Sequence, residues 1–449
     1  MNKFLRGHFG NRSFLQAILI LVGGTTAGHL VTALTLPIAT RIYSPADFSV
    51  LSVFSAIVSV VSVAACLRFD TAITVTTTEE DARAALVLAF LFAFLISGVF
   101  SLLLSIMPRT LFERLGYESL VAYLWALPIA VLAASAFAAL QSWYIRKAQF
   151  WPIAQSRVLQ SISASATQLL SGAVWFGPLG LLLGYVANNM VGCILLGRRF
   201  AREEHLKNID YNRLIQVART YDKFPKYSTF EALLNIGAIQ IPVLLIAVFA
   251  VGPEAGYLLL AMSVMQVPMA LIGNAVGQVY LARGPQEYRS GRLPELTADT
   301  LRRLSVAGVG PLLFAGLVSP HVFQFVFGSE WGRAGEMVLM MVPWLIAQFL
   351  SSPLSMALHI TASQRSALIL QVFGFMLRVG SVWGASIFAR DYIVEVYAAS
   401  GFIFYACYLV VVLVLVRVPL RLAMLALAGG IPIALVCAIA GWTVFWALR

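Results

Sequence analysis

Runs of about 20 apolar residues recur along the whole chain, and they constrain its fold more than any motif does. A helix rises about 1.5 Å per residue and the hydrocarbon layer of a bilayer is roughly 30 Å thick, so each run matches one crossing. Thirteen such runs lie at 14–36, 48–67, 84–106, 119–140, 155–175, 178–197, 228–250, 256–280, 304–327, 335–359, 364–388, 392–416 and 421–447. Hydrophobic residues make up 60% of the 449 and charged residues 11%, a balance outside that of soluble domains. Lipid offers the backbone no hydrogen-bond partner, so each run must satisfy its own N–H and C=O groups as a helix. The expected fold class is an all-α polytopic membrane protein.

Charge gives the orientation, because basic residues favour the cytoplasmic side and successive loops alternate. With the N-terminus cytoplasmic, 24 Lys and Arg fall on the inner side. Six fall outside: Arg41, Arg109, Arg114, Arg333, Arg390 and Arg449. Arg378 lies within the eleventh run and completes the 31. The net charge of +11 is then this bias together with attraction to lipid headgroups, and requires no nucleic acid. The first run is too long for a secretory signal and lacks a small-residue cleavage site, so it reads as a retained helix. Cys66, Cys193, Cys407 and Cys437 all fall in apolar runs without metal-like spacing and read as small core residues.

The loops are short apart from two basic stretches, 198–228 and 282–303. No outer loop is large enough for a catalytic domain. The chain has no glycine-rich loop ending in Lys-Ser or Lys-Thr and no His-Glu-x-x-His. It also has no acid pair or nucleophile with a base outside the runs. It therefore reads as a non-enzyme with no cofactor and no ATP motor of its own.

An internal echo divides the chain. "IYSPADFSVLSVFSAI" and "AVFAVGPEAGYLLLAMSV" each place a proline turn and an acidic residue before an apolar run. Proline at a helix start and a carboxylate near the positive end of the helix dipole are both locally favourable. Pro45 and Pro253 stand between the first and second helix of successive six-helix sets, which is a parallel repeat of the kind secondary transporters use. The expected organisation is two pseudo-symmetric six-helix lobes around a central cavity, plus an extra C-terminal helix. Residues 1–200 form the first lobe, 201–227 a cytoplasmic linker, 228–418 the second lobe and 419–449 the additional transmembrane helix.

Polar residues inside the runs are the candidate site. Glu231, Asn235, Ala238 and Pro242 share one helical face, as do Gln371, Gly374, Arg378 and Ser381, and Gln266, Ala270, Asn274 and Gly277. The fifth run carries Gln160, Ser163, Thr167, Gln168 and Ser171. Such faces either line a cavity or glue helices together. Glu231 and Arg378 differ in kind, because an ionised group facing lipid costs about 2.5–3.5 kcal/mol. Pairing with each other or with backbone is open to them, but a buried ion pair is a poor source of stability, so function is the favoured reading. His29 and His359 read as packing histidines, and Arg68 with Asp70 as an interfacial pair or a gate. Gly23 with Gly24 interrupts the first run. Pro128, Pro242, Pro268, Pro311, Pro343, Pro353 and Pro432 within apolar runs are expected to kink their helices.

The stretch "LVGGTTAGHLVTALTLPIATRIYSPADFSVLSVFSAI", followed by Arg68-Phe69-Asp70, resembles the start of the Wzx-type polysaccharide flippases. These belong to the polysaccharide transport family of the multidrug, oligosaccharidyl-lipid and polysaccharide exporter (MOP) superfamily. "KFPKYSTFEALLNIGAIQIPVLLIAVFAVGPEAGYLLLAMSVMQVPMALIGNAVGQVY" resembles the start of their second lobe. The likeness covers helices one to twelve, and the thirteenth run departs from it. It implies alternating-access, ion-coupled translocation of an undecaprenyl-pyrophosphate-linked oligosaccharide across the bacterial inner membrane. The product would be O-antigen, capsule or exopolysaccharide. The implied protein is a monomer, with polymerase and chain-length proteins as partners. On this reading Arg41, Arg68, Arg378, Asn235, Asn274 and Gln371 bind the substrate, and Glu231 and Asp70 couple the ion. Two other readings are a multidrug/cation antiporter of the same superfamily and a polysaccharide polymerase or ligase.

Overall fold

The computed structural model describes residues 11–108, 110, 112, 117–175, 177–203, 210–361 and 363–447. Within its helices the side chains of residues 11–22, Ala270, Leu271, Asn274, Ala282, His359 and Gln364 lie outside the described residues. Thirteen long helices follow the order of the thirteen apolar runs, and no strand occurs among the described residues. They are α1 (Asn11–Ile42), α2 (Pro45–Ala65), α3 (Glu79–Ile106), α4 (Ala126–Arg146), α5 (Phe150–Gly172), α6 (Leu179–Glu203) and α7 (Thr229–Phe249). There follow α8 (Glu254–Arg289), α9 (Gly310–Phe327), α10 (Gly332–Ser351), α11 (Gln364–Phe388), α12 (Ile393–Val416) and α13 (Ile431–Ala447). Among the described residues, ten helical segments are long and apolar enough to cross a membrane, the last being Leu420–Ala447, which contains α13.

The chain forms two compact units. The first comprises residues 1–43 and 50–240, the second residues 44–49 and 241–449. In the first unit, small residues let helices approach closely. Gly24 and Gly28 form a Gly-x-x-x-Gly pair on α1, and a Cβ on Gly24 would come 2.5 Å from the Ala154 Cβ of α5. The Gly23-Gly24 pair therefore does not interrupt α1, which runs through it, because helix packing supplies what glycine costs the helix. The polar residues of α5 serve the same packing. Thr35 donates to Ser165 Oγ at 2.9 Å, and the Tyr43 hydroxyl donates to the Gln168 carbonyl at 2.7 Å. The apolar core of this unit gathers Ile73, Trp143, Tyr144 and Phe200 with the alanines of α3. Val217, on the linker helix Tyr211–Thr220, joins it, so part of the basic linker is docked and helical.

In the second unit, α10 is the most enclosed span, packed against α9 and α12. The Ser319 Oγ lies 2.7 Å from the carbonyl oxygens of both Gly316 and Gly335, which share its single O–H and so join α9 to α10. Residues 44–49 belong to this unit, and its two echoing turns meet here: a Cβ on Gly256 would lie 2.1 Å from the Pro45 carbonyl oxygen. Ser44 and Asp47 close a reciprocal cap at the start of α2. The Ser44 N–H and hydroxyl donate to Asp47 Oδ2 at 2.9 and 2.8 Å, and the Asp47 N–H donates to Ser44 Oγ at 3.3 Å.

The prolines do not all act as kinks. Pro242, Pro268 and Pro343 lie inside helices. Pro128 stands in the first turn of α4, Pro311 follows directly on the π turn Ser305–Val309, Pro353 opens a short 3-10 turn where α10 stops, and Pro432 follows the break at Gly429-Gly430. A first-turn N–H has no intrahelical acceptor, so Pro128 sacrifices nothing there, whereas the other three coincide with local departures from the α-helix. The thirteenth run is broken into Leu420–Ala428 and α13 at Gly429-Gly430. A Cβ on Gly430 would come 2.4 Å from Ser305 Oγ, and that hydroxyl caps the broken helix by donating to the Leu427 carbonyl at 3.0 Å.

A Cβ on Gly335 would come 2.4 Å from the Ser319 carbonyl oxygen, a backbone atom with little room to yield. Gly335→Val is therefore expected to destabilise the protein by about 1–3 kcal/mol, the usual cost of overpacking. Thermal unfolding in detergent measures this, and an unchanged melting temperature would contradict the close α9–α10 approach.

Candidate functional site

Among the described residues, Arg378 is the charged residue that the protein buries, with 4% of its surface exposed. It sits near the middle of α11, where neither end of the helix brings water. Its guanidinium lies over the ring of Phe404 at 4.1 Å and that of Tyr405 at 5.2 Å, both on α12. Gly374, one turn earlier on α11, is what lets the Phe404 ring in, since a Cβ there would lie 2.4 Å from it. Ring faces can balance charge but cannot accept in-plane N–H bonds. Nε and Nη2 of Arg378 are both buried without an acceptor among the described residues. The site thus holds a permanent positive charge with unused donor capacity.

The first unit has a counterpart that sequence reasoning did not single out. Arg157, on the fifth helix of the first six as Arg378 is on the fifth of the second, lies 5.0 Å from the Phe137 ring centre and donates to Gln141 Oε1 at 2.9 Å. A lone arginine in a run with no other charge until the next loop was the available signal.

Arg68 and Asp70 lie where α2 gives way to the short helix Phe69–Ile73. Leu67 and Arg68 both adopt left-handed backbone, with φ of 45° and 60°. This costs about 1–2 kcal/mol per non-glycine residue. Arg68 Nη1 is 3.9 Å from Asp70 Oδ2, an ion pair beyond hydrogen-bond reach. Asp70 is only 14% exposed; burial pushes its carboxyl above the usual range, while Arg68 pulls it back down. The turn is held from outside: Arg146 donates to the carbonyls of Ile73, Thr76 and Thr78 at 3.1, 2.6 and 3.1 Å. Arg213 of the linker helix pairs with Asp81 at 2.8 Å, and Lys147 pairs with Glu79.

A second charge cluster was not anticipated. Arg333 donates from Nε to Glu254 Oε1 at 3.2 Å, from Nη2 to Glu395 Oε1 at 2.9 Å and from Nη1 to Glu336 Oε2 at 3.2 Å. Glu254, Glu336 and Glu395 each sit near the start of α8, α10 or α12, and these even-numbered helices all begin on one side. Each carboxylate suits its own helix dipole. Bringing three together requires a cation, which Arg333 supplies in its planar fork. Trp331, 1% exposed, packs edge-on against Phe48 at 4.9 Å and Tyr257 at 5.9 Å beside the cluster. The acid–proline echo at Pro253-Glu254 was the visible trace.

The remaining predicted site residues are scattered. Arg41, Glu231 and Asn235 are exposed on the protein surface, and Gln371 is half-buried on α11. The Asn274 and His359 side chains lie outside the described residues. By contact, Glu231 belongs to the first unit and Arg378 to the second. No group of three or more His, Cys, Asp or Glu could hold a metal ion among the described residues.

Long helices in two units, with charge kept to helix ends or sheltered inside, define a polytopic membrane protein, and its fold is that of the MOP superfamily. Solved structures with this fold include the lipid II flippase MurJ in an inward closed conformation, at TM-score 0.73 and 12% identity, covering 97% of this chain and 98% of that one. A MOP superfamily transporter from Pyrococcus furiosus matches at TM-score 0.56 and 14% identity, over 91% and 96% of the two chains. A eukaryotic MATE transporter matches at 0.55 and 14%, over 93% and 98%. No curated protein matches the sequence at a significant level. The chain belongs to the polysaccharide biosynthesis protein family, whose profile matches residues 38–339. This bears out the resemblance seen in the sequence.

Arg333→Gln leaves Glu254 and Glu395 largely buried without their cation. Burial already raises the Glu254 carboxyl, and the neighbouring Glu395 and Glu336 raise it further. An acid whose folded-state pKa is raised loses stability as pH rises above the ordinary carboxylate range. The variant should therefore be destabilised by about 1–3 kcal/mol, and more at about pH 8 than at about pH 5. Melting temperatures across pH measure this, and an equal loss at both would contradict the cluster as described.

Proposed function

We propose that this protein flips an undecaprenyl-pyrophosphate-linked oligosaccharide from the cytoplasmic to the outer leaflet of a bacterial inner membrane, for O-antigen, capsule or exopolysaccharide assembly. The observation that carries this reading is Arg378: a buried guanidinium near mid-span, with two nitrogens lacking acceptors, in a chain of the polysaccharide biosynthesis family. The lipid tail stays in hydrocarbon during flipping, and only the sugar and pyrophosphate must cross. A pyrophosphate is a dense anion, and an arginine fork is the side chain best matched to it.

On this reading Arg378 receives the pyrophosphate at mid-depth, with Arg41 and Arg68 at opposite ends of the path. Asn235, Asn274 and Gln371 contact the glycan through neutral hydrogen bonds that tolerate variation in sugar. Asp70 and Glu231 couple the cycle to an ion gradient. Asp70 is the better suited to a proton, because burial favours its neutral form and Arg68 its charged form. The left-handed Leu67-Arg68 pair is a strained element of the kind that switches between two arrangements. Alternating access exposes the polar interior first to one face and then to the other. The N-terminus is cytoplasmic, polymerase and chain-length proteins act downstream, and the protein works as a monomer.

Arg378→Ala should reduce surface polysaccharide about tenfold or more at normal protein abundance, the loss expected for a charge-assisted contact to phosphate. Arg378→Lys should restore little, because a point charge does not replace the planar fork. Lipid-linked oligosaccharide should accumulate in the inner leaflet of cells lacking the protein. Wild-type export by Arg378→Ala, or resistance to cationic dyes with surface glycan unaffected by the deletion, would overturn the reading.

A further inference from the structure

The second unit carries a polar groove that the transport reading does not use. Helix Leu293–Leu304 buries Leu293, Thr297, Leu301 and Leu304 and turns Glu295, Asp299, Arg302 and Arg303 outward. It is held in place by a buried bond of 2.7 Å between the Tyr280 hydroxyl and Thr297 Oγ1. It packs against Leu420–Ala428, and between the two lies a groove of about 440 Å³. One wall carries Glu295, Asp299 and Arg302, the other Leu422, Leu425 and Ala426. Leu425 is 58% exposed, so the apolar wall continues into the surface that faces lipid chains.

The charges of the groove are ordered along it. Asp299 lies one turn before Arg302, which puts their Cβ atoms about 5–6 Å apart on one face. Glu295 lies a further turn back. Asp299 Oδ2 holds Arg303 Nε at 2.9 Å, whereas Arg302 pairs with no carboxylate among the described residues. The Arg302 side chain is laid across Gly429, where a Cβ would come 3.2 Å from Cγ, so its head is directed by packing rather than by an ion pair. Lysine is absent after Lys226, so arginine is the one permanently cationic side chain of the second unit. Arginine grips phosphate through a fork that lysine lacks.

We propose that this groove binds a phosphatidylethanolamine molecule of the surrounding bilayer. Its phosphate lies on Arg302, its primary ammonium turns toward Asp299 and Glu295, and an acyl chain follows Leu422, Leu425 and Ala426. The two-carbon bridge between phosphate and ammonium matches the one-turn spacing of cation and carboxylate. An anionic glycerol headgroup brings no cation to Glu295 and none to Asp299 beyond Arg303. A choline headgroup offers them no N–H donor.

The test uses the full-length protein in mild detergent, mixed with phosphatidylethanolamine, phosphatidylglycerol and phosphatidylcholine of identical chains, with bound lipid read by native mass spectrometry. Phosphatidylethanolamine should be retained over both others. Arg302→Gln should lower its retention about tenfold, the loss of one charge-assisted bond. The double variant Glu295→Gln with Asp299→Asn should shift preference toward phosphatidylglycerol, because both carboxylates are gone and Arg303 is released. Equal retention of the three lipids by the wild type, or a wild-type preference for phosphatidylglycerol, overturns the proposal. So does unchanged retention by an Arg302→Gln protein with a normal melting temperature. Should that variant fail to fold, the exposed double variant decides alone, and an unchanged lipid ratio sinks the proposal.

Discussion

Hydrocarbon accepts no hydrogen bond and solvates no charge, and the whole structure answers to that constraint. The backbone satisfies itself in thirteen long helices, and the side chains follow the same logic. Hydroxyls inside spans donate back to carbonyls of their own helix or of the helix beside them, as Ser319 and Tyr43 do. Most charged residues lie at helix ends. The charges that enter the interior are sheltered on aromatic rings, Arg157 on Phe137 and Arg378 on Phe404 and Tyr405.

That sheltering is incomplete at Arg378, and on the function proposed above the incompleteness is what links fold to function. Rings stabilise the guanidinium from its faces but leave the edge unsatisfied, and an edge with free N–H groups at mid-span suits an anion in transit. The charge clusters at the helix ends differ. Around Arg333 and around Arg146 and Arg213, donors and acceptors largely meet, tying helix ends together within a unit. Strain is concentrated instead in the two left-handed residues before Asp70.

The helices were legible in the sequence because length and apolarity are properties of a single segment. Each of the thirteen runs coincides with helix among the described residues, some, such as the tenth and thirteenth, with a break, and the Pro45 and Pro253 turns fell where the proline and acid residues placed them. What depends on distant residues was not legible. Nothing near Glu254 announces that Arg333 and Glu395 will meet it, and nothing near Arg378 identifies Phe404 as its partner. Proline was misread as a kink at Pro128, because an apolar run hides where one helical stretch ends and the next begins. Gly24 was misread as a break because its packing partner, Ala154, lies on another helix.

The central claim is that this protein by itself carries a charged lipid head through a bilayer. Reconstitution into liposomes, with a fluorescent polyprenyl-pyrophosphate glycan placed in the inner leaflet and a membrane-impermeant quencher outside, measures that directly. The wild-type protein should bring the label to the quencher, and protein-free liposomes should not. Label that stays protected in the presence of folded protein, under imposed proton and sodium gradients of either sign, would contradict it.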